Sequence, residues 1–250
     1  MPDPKTALLI GASSGIGLAI CASMLRAGSE VVAVVRDEKK LTDNLSSLAD
    51  VPLRLLHPIE TELGDPDRRK DLIREIRRSR RIFDSLVFAA GLGFGKRLGM
   101  ISSREVSEVL EINFLSYVHL FQDLTRSMGD PSSAVVLSSH AAQNVIQGNS
   151  IYGASKTALE RASASFAHEF VNAGIRVNCV APTLVATPML DMMDQKSRDL
   201  VLSSTNSQRE LRVEEVCEII HFLLSSKSNA INGQVIKLGE NLRREAVSDE

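Results

Sequence analysis

The chain has 250 residues, 44% of them hydrophobic, and a formal net charge of -2. That length fits one large domain or two small ones, and the apolar fraction can fill a substantial core rather than leave the chain disordered. The near-neutral charge gives no basis for binding nucleic acid or an anionic membrane, and no apolar run approaches the roughly 20 residues that a membrane helix needs. Cys21, Cys179 and Cys217 are far apart and show no C-x-x-C spacing, so neither a disulfide framework nor a zinc site is supported and no metal is expected. The start, MPDPKT, runs straight into ALLIG without the layout of a signal peptide, so a cytoplasmic location is expected.

Thr6 to Ile10 is a short apolar run, followed by GASSGIG and the amphipathic LAICASMLRAG. This order predicts a strand, a glycine-rich turn and a helix that Gly28 stops. Gly11, Gly15 and Gly17 let the backbone turn tightly and approach a pyrophosphate, and the free amides of the helix start favour its charge. Ser13, Ser14 and Ile16 belong to the same loop. A glycine loop by itself is only a turn; the strand before it and the helix after it are what favour nucleotide binding.

EVVAVV is the second predicted strand, ending at Val35, with Arg36 and Asp37 just beyond. An acidic group here would bond the ribose 2'-hydroxyl of NAD, whereas an arginine would pair with the 2'-phosphate of NADP. Val35 accepts no hydrogen bond and Arg36 comes first after it. NADP(H) is therefore preferred over NAD(H), with Asp37 capping the next helix.

PLRLLHPIE is a weaker strand because of its prolines. RRKDLIREIRRSRR keeps Leu72, Ile73 and Ile76 in an apolar stripe and reads as a solvated amphipathic helix, not a nucleic-acid patch. SLVFAAG is the fourth strand, where the small residues Ala89, Ala90 and Gly91 would let a cofactor approach. A helix over about 103–128 contains Asn113, and a lone mid-helix Asn means little alone. SSAVVLSS is strand five, Lys156 to Ala173 a long helix ended by Gly174, and IRVNCVAPT strand six. The segment at about 188–212 lacks a strand pattern and reads as short helices covering a pocket. VEEVCEIIHFLLSS is an amphipathic helix, GQVIKLG the last strand and NLRREAVSDE a frayed tail. Strands alternate with helices without a linker or repeat, which predicts one doubly wound α/β (Rossmann) domain with a parallel sheet.

Between strand five and the long helix lies SSHAAQNVIQGNSIYGASK. Tyr152 and Lys156 stand i, i+4 on one helix face, so the ammonium sits beside the phenol and is expected to lower its pKa from about 10. Ser139 can present a hydroxyl to the same point. Such a group can protonate a carbonyl oxygen, or deprotonate an alcohol, while a hydride moves elsewhere. Alone, Tyr-x-x-x-Lys is common and more often covers a surface.

Together these segments resemble the short-chain dehydrogenase/reductase family, from Lys5 to about Gly239. GASSGIG matches its cofactor motif, and Asn113, Ser139, Tyr152 and Lys156 fall where its catalytic four fall. The interval of 13 residues from Ser139 to Tyr152 is the family's, which favours Ser139 over Ser138. The resemblance implies that Tyr152 is the general acid in reduction and that Lys156 lowers its pKa and holds the nicotinamide ribose. It also implies that Ser139 bonds the substrate oxygen and that Asn113 supports a proton-relaying water. APTLVATPM resembles the family's segment after strand six, which implies that Pro182, Val185 and Thr187 contact nicotinamide and pyrophosphate, and Glu62, with Leu63 beside it, stands where the family's aspartate usually meets the adenine. Departures are FAAG for Asn-Asn-Ala-Gly, which removes two amides and puts that loop's packing in question, Ile10 for a threonine, Thr183 for a glycine and LGEN for Asp-Gly-Gly.

The expected activity is NADP(H)-dependent interconversion of a small-molecule ketone and a secondary alcohol. A 3-oxoacyl thioester is one candidate, for which Arg126 is a basic residue to look for at the pocket mouth, opposed by Glu169 and Asn172. A sugar or small hydroxylated metabolite is the alternative. A non-catalytic nucleotide sensor is the reading from another class; such proteins lose Tyr or Lys, and this chain keeps both. The small residues of SKTALERASASFAHEFVNAG allow close helix approach, and the resemblance implies a homotetramer or homodimer through that helix.

Overall fold

The structure, a computed structural model, describes residues 5–191, 193 and 195–243. The first half alternates β1 (Thr6–Ile10), α1 (Gly15–Arg26), β2 (Glu30–Val35), α2 (Glu38–Ser46), β3 (Leu56–Glu60), α3 (Pro66–Ser79) and β4 (Phe83–Phe88). It continues through α4 (Ser103–Leu110), α5 (Ser116–Leu124), β5 (Met128–Leu137), α6 (Ser150–Glu169) and β6 (Ile175–Pro182). The short α7 (Pro188–Asp191) and α8 (Gln195–Ser204) precede α9 (Val213–Leu224) and β7 (Val235–Leu238).

All seven strands pair in parallel in the order β3-β2-β1-β4-β5-β6-β7. A parallel sheet is covered on both faces, so its strands are continuous apolar runs, as ALLI and EVVAVV are. Successive residues point to opposite faces: Leu9 packs with Ile20, Leu25 and Ile220, whereas Leu8 packs with Leu72, Tyr117 and Leu159. Pro58, which weakened the third strand in the sequence, is accommodated because β3 is an edge strand. The doubly wound fold is therefore the one expected from the pattern. Where the strand order reverses, between β1 and β4, the chain leaves the two strand ends towards opposite faces of the sheet, and a crevice lies between the connections.

Local signals set the element ends. Asp37 Oδ1 accepts from Lys40 N at 2.8 Å and caps α2, the role the sequence suggested for it. Asp65 caps α3 through the amides of Asp67 and Arg68, with Pro66 at the first helical position. Several expected boundaries move. The helix over 103–128 is broken by a π-helical turn, Glu111–Leu115, and Met128 already belongs to β5. The long helix begins at Ser150 rather than Lys156, so Tyr152 and Lys156 both lie inside it. The arginine run is not wholly solvated either: Arg69 is buried and pairs with Glu111 at 2.5 Å. The start of the expected tail is tied down, with Asn241 N bonded to Thr205 O at 2.9 Å. The rest of the tail and the first four residues, read for a leader, lie outside the described residues. So do positions 192 and 194 of the pocket-covering segment.

Candidate active site

One cleft of about 450 Å³ opens at the crevice. A second concavity, about 510 Å³ between the end of α2 and β3, is a shallow surface depression that gathers none of the motif residues.

The first wall is the loop from Gly11 to Gly17, held at the C-terminal end of β1. A Cβ on Gly17 would lie 2.0 Å from Gly11 O, so only glycine lets the helix start pack this close to the strand end. Ser14, the N-cap of α1, makes no side-chain cap bond, which leaves first-turn amides to a ligand. Asn44 Nδ2 steadies the loop by donating to Ser13 O at 3.1 Å. Thr187 packs on Gly15 from the opposite side. This cradle fits the diphosphate of a dinucleotide.

Arg36 lies past the tip of β2, exposed, and lines the cleft, as do Glu62 and Leu63 beyond β3. Asp37 is not among the lining residues and its carboxylate is engaged in its cap. Glu62 Oε1 accepts from Gly64 N at 3.2 Å, and Leu63 O is held by the buried Arg69 guanidinium. Ala89, Ala90 and Gly91 form the floor, and Pro182, Val185 and Thr187 close it from the β6 side. Every expected cofactor residue therefore borders this one cleft.

At the far end, β5 delivers Ser138 and Ser139, and α6 presents Tyr152 and Lys156 one turn apart. The start of α6 sits close to the turn His140–Ala142 because Gly153 approaches Ala141 O, where a Cβ would stand at 2.5 Å. Ser139 Oγ accepts from Ala141 N at 3.2 Å, and its hydroxyl is near enough to the Tyr152 phenol to lower that group's pKa. Ser138 donates to Glu160 Oε1 at 2.5 Å, which leaves Ser139, at the 13-residue interval, as the hydroxyl beside the phenol. Lys156 Nζ donates to Leu137 O at 2.7 Å and lies 5.9 Å from the centroid of the Tyr152 ring.

The electrostatics differ from expectation at the tyrosine. Burial raises the Tyr152 pKa above its ordinary value and outweighs the neighbouring Ser139 hydroxyl, which lowers it. Lys156 is itself buried and drawn onto the Leu137 carbonyl, and desolvation brings its pKa down to about 8 against the pull of Cys179 and Glu160.

Asn113 is completely buried in the π-helical turn, a device that often marks functional sites. Its Oδ1 accepts from Leu92 N at 2.7 Å, and its Nδ2 donates to Leu92 O and Ser155 Oγ, both at 2.9 Å. Ser155 Oγ passes the connection on to Tyr152 O at 2.7 Å. Asn113 thus braces the loop after β4 to α6, and Oδ1 keeps a second lone pair. This brace also answers the loss of two amides in FAAG: the loop is pinned at Leu92, with Ala89 N on Ile10 O at 2.8 Å and Phe88 packed against Tyr117.

Arg126 is not at the mouth. It precedes β5, whose ten residues carry the chain about 33 Å to the end where Ser139 begins the site. Glu169 and Asn172 lie likewise at or beyond the far end of α6. Sequence reasoning missed Asn44, Leu92, Ser155 and Glu160, which act through side-chain or backbone bonds that carry no motif. It also missed Ile146, an aliphatic wall residue in a loop without pattern.

Comparison with known proteins places this architecture. A family model described as enoyl-(acyl carrier protein) reductase matches residues 11–239. L-xylulose reductase of Caenorhabditis elegans is 30% identical over 237 residues, covering 93% of each chain. The 3-oxoacyl-(acyl-carrier-protein) reductase FabG of Thermotoga maritima is 26% identical, covering 96% of this chain and 98% of its own. Two solved structures share the fold. A Burkholderia cenocepacia short-chain dehydrogenase in complex with NADP has a TM-score of 0.84 at 23% identity, covering 94% of this chain and 96% of its own. A 4-hydroxyisoleucine dehydrogenase complexed with NADH has a TM-score of 0.82 at 21% identity, covering 94% of this chain and 97% of its own. The chain belongs to the short-chain dehydrogenase/reductase family. It is an oxidoreductase of the class that interconverts CH–OH and keto groups in small molecules. No helix among the described residues is long and apolar enough to cross a membrane.

Proposed function

We propose that the protein is an NADP(H)-dependent reductase that converts a ketone to a secondary alcohol. The observation that carries this reading is the cleft itself, with the glycine cradle and Arg36 at one end and Ser139, Tyr152 and Lys156 at the other. When bound, the nicotinamide supplies the hydride, which no side chain can. Gly11 to Gly17 and Thr187 would hold the diphosphate, Arg36 the 2'-phosphate, and Lys156 the nicotinamide ribose.

Ser139 positions the carbonyl oxygen and Tyr152 gives it a proton. The phenol is protonated at neutral pH, the form a general acid needs. Lys156 stabilises the phenolate left behind, and the remaining lone pair of Asn113 supports the water that returns the proton. Arg36 reaches the cleft while Asp37 is held in its cap, which supports NADP over NAD. The proposal includes assembly as a homotetramer, or a homodimer, through α6, readable by light scattering, and a cytoplasmic location.

The test is initial rates over a ketone panel with NADPH and NADH. Tyr152→Phe should leave NADPH binding nearly intact and lower turnover by at least roughly a hundredfold. Turnover at the wild-type rate in that variant removes Tyr152 from the mechanism.

A further inference from the structure

The half of the cleft beyond Tyr152 differs in chemistry from the rest. Leu184, Leu190 and Val201 form a small apolar cluster with Ile146 and Met193, all of them bordering the cleft. They come from the end of β6, from the α7–α8 segment and from the loop after Gln143. The polar side chains on this side are Ser139, Tyr152, His140, Gln147 and Asn149. Among the described residues, the charged side chains that line the cleft are Arg36, Glu62 and Lys156. Arg36 and Glu62 belong to the ends of β2 and β3, and β2 is three strand spacings, or about 14 Å, from β5. Lys156 is buried behind Tyr152 on Leu137 O.

Two nearby groups among the described residues bring no charge to the wall. Arg198 adjoins the lid, but its guanidinium is turned onto the carbonyls of Leu190 and Met193 and lies 3.7 Å from Glu210. His140 is buried, with Nδ1 bonded to Asn144 at 3.0 Å and 3.6 Å from Glu240. Burial lowers its pKa, so it brings no positive charge to the wall at neutral pH. The apolar surface also continues outward: Val145, next to Ile146, is fully exposed, and Leu98 is exposed three residues past Gly95 on the facing loop. The backbones of these two loops come together at Gly148 and Gly95.

We propose, resting on the reductase reading above, that the substrate is an uncharged ketone with a hydrocarbon arm, its carbonyl at Ser139 and Tyr152 and its arm along Ile146, Leu184, Leu190 and Val201. A carboxylate or phosphate on that arm would be desolvated with no counter-charge among the described residues, and a hydroxyl lying against Ile146, Leu184, Leu190 and Val201 would trade its water for aliphatic contact. Among the described residues Tyr152 is the one phenyl-type ring lining the cleft, so no pair of such ring faces grips a sugar or a flat polycycle. The arm of a 3-oxoacyl thioester satisfies this wall; a ketose or an oxo acid does not.

The experiment measures kcat/KM with saturating NADPH for methyl ketones from 2-butanone to 2-octanone. It adds 5-oxohexanoate as the charged partner of 2-hexanone, and L-xylulose and D-erythrulose as polyols. The expected result is a rise of roughly three- to fourfold per methylene. The oxo acid should fall at least about a hundredfold below 2-hexanone, and both ketoses below 2-butanone. Ile146→Arg should narrow the gap between the oxo acid and 2-hexanone by about tenfold or more. A flat series, or preference for a ketose or the oxo acid, overturns the inference while leaving the reductase reading standing. NADPH binding, read by its fluorescence, without reduction of any carbonyl overturns both.

Discussion

The two halves of the cleft are built by different means. The cofactor half is made of backbone: a glycine loop at the end of β1, free amides at the start of α1, and small residues at the end of β4. Its shape follows from the strand order, because the crevice opens where that order reverses. The substrate half is made of side chains on irregular segments, and its wall packs as a separate apolar cluster apart from the two cores of the sheet. A backbone cradle permits few substitutions, whereas an aliphatic wall can change residue by residue. The family can therefore share one cofactor site and still act on different ketones. Tyr152 and Lys156 stand on the boundary between the halves.

The largest expected effect falls on that boundary. Lys156 has a folded-state pKa of about 8 against an ordinary 10.5. Below pH 8 both folded and unfolded chains are protonated and the folded state bears the full burial cost. Between the two values the unfolded chain binds more protons, so stability rises with pH, and above 10.5 this cost is gone. Lys156→Met removes the charge at every pH. Its stability relative to wild type should therefore fall on the order of 3 kcal/mol as pH rises through that window. Urea unfolding of both proteins at pH 7 and above 10.5 reads the difference. A constant difference would mean that Lys156 is not buried as a cation, and the boundary would be less sharp than the structure shows.

This asymmetry explains what could be read from the sequence. GASSGIG names its loop because glycine alone tolerates the approach of Gly17 to Gly11 O, and Tyr-x-x-x-Lys is a helical spacing. Asp37 as a cap and Arg36 as the group reaching the cleft were legible from their order after Val35. Asn113 was visible only through resemblance, since a π-helical turn has no spacing rule and its partner Leu92 offers only backbone atoms. The sign of the Tyr152 shift was not legible, because spacing places the ammonium near the phenol but says nothing of the burial of both. The aliphatic wall was invisible for a similar reason: Ile146 and Val201 are 55 positions apart and meet only in the fold.

A smaller effect isolates the cofactor half. Losing a charged hydrogen bond to the 2'-phosphate costs about 1.5 to 3 kcal/mol, or ten- to a hundredfold in affinity. Arg36→Ala should weaken NADPH by that factor and leave NADH and the KM for the ketone almost unchanged. Fluorescence titration of both cofactors checks it. Tighter binding of NADH than NADPH by the wild type would make Asp37 the reader, against its place in the α2 cap.

The smallest effect concerns Glu160, one turn beyond Lys156 on α6. Its Oε1 accepts from Ser138 Oγ at 2.5 Å, and Gln143 Nε2 donates to Oε2 at 3.2 Å, so it fixes the residue beside Ser139. It also raises the Lys156 pKa, together with Cys179 on β6. The groups facing the ammonium are thus Tyr152 in the preceding turn, Glu160 in the next, Leu137 O, and the Cys179 thiol, whose own pKa burial pushes up to about 12. Above a pH of about 8 Lys156 loses its proton, and the rate should fall with the cation that stabilises the phenolate. Glu160→Gln keeps the shape and an acceptor for Ser138 but removes the negative charge. The alkaline limb of kcat should then move to lower pH, by about one pH unit or less, the scale of a single neighbouring charge. A purely structural Glu160 would give a different result, with kcat reduced at all pH values and the limb in place. The pH profile therefore separates a residue that holds Ser138 from one that also sets the charge at the boundary between the two halves.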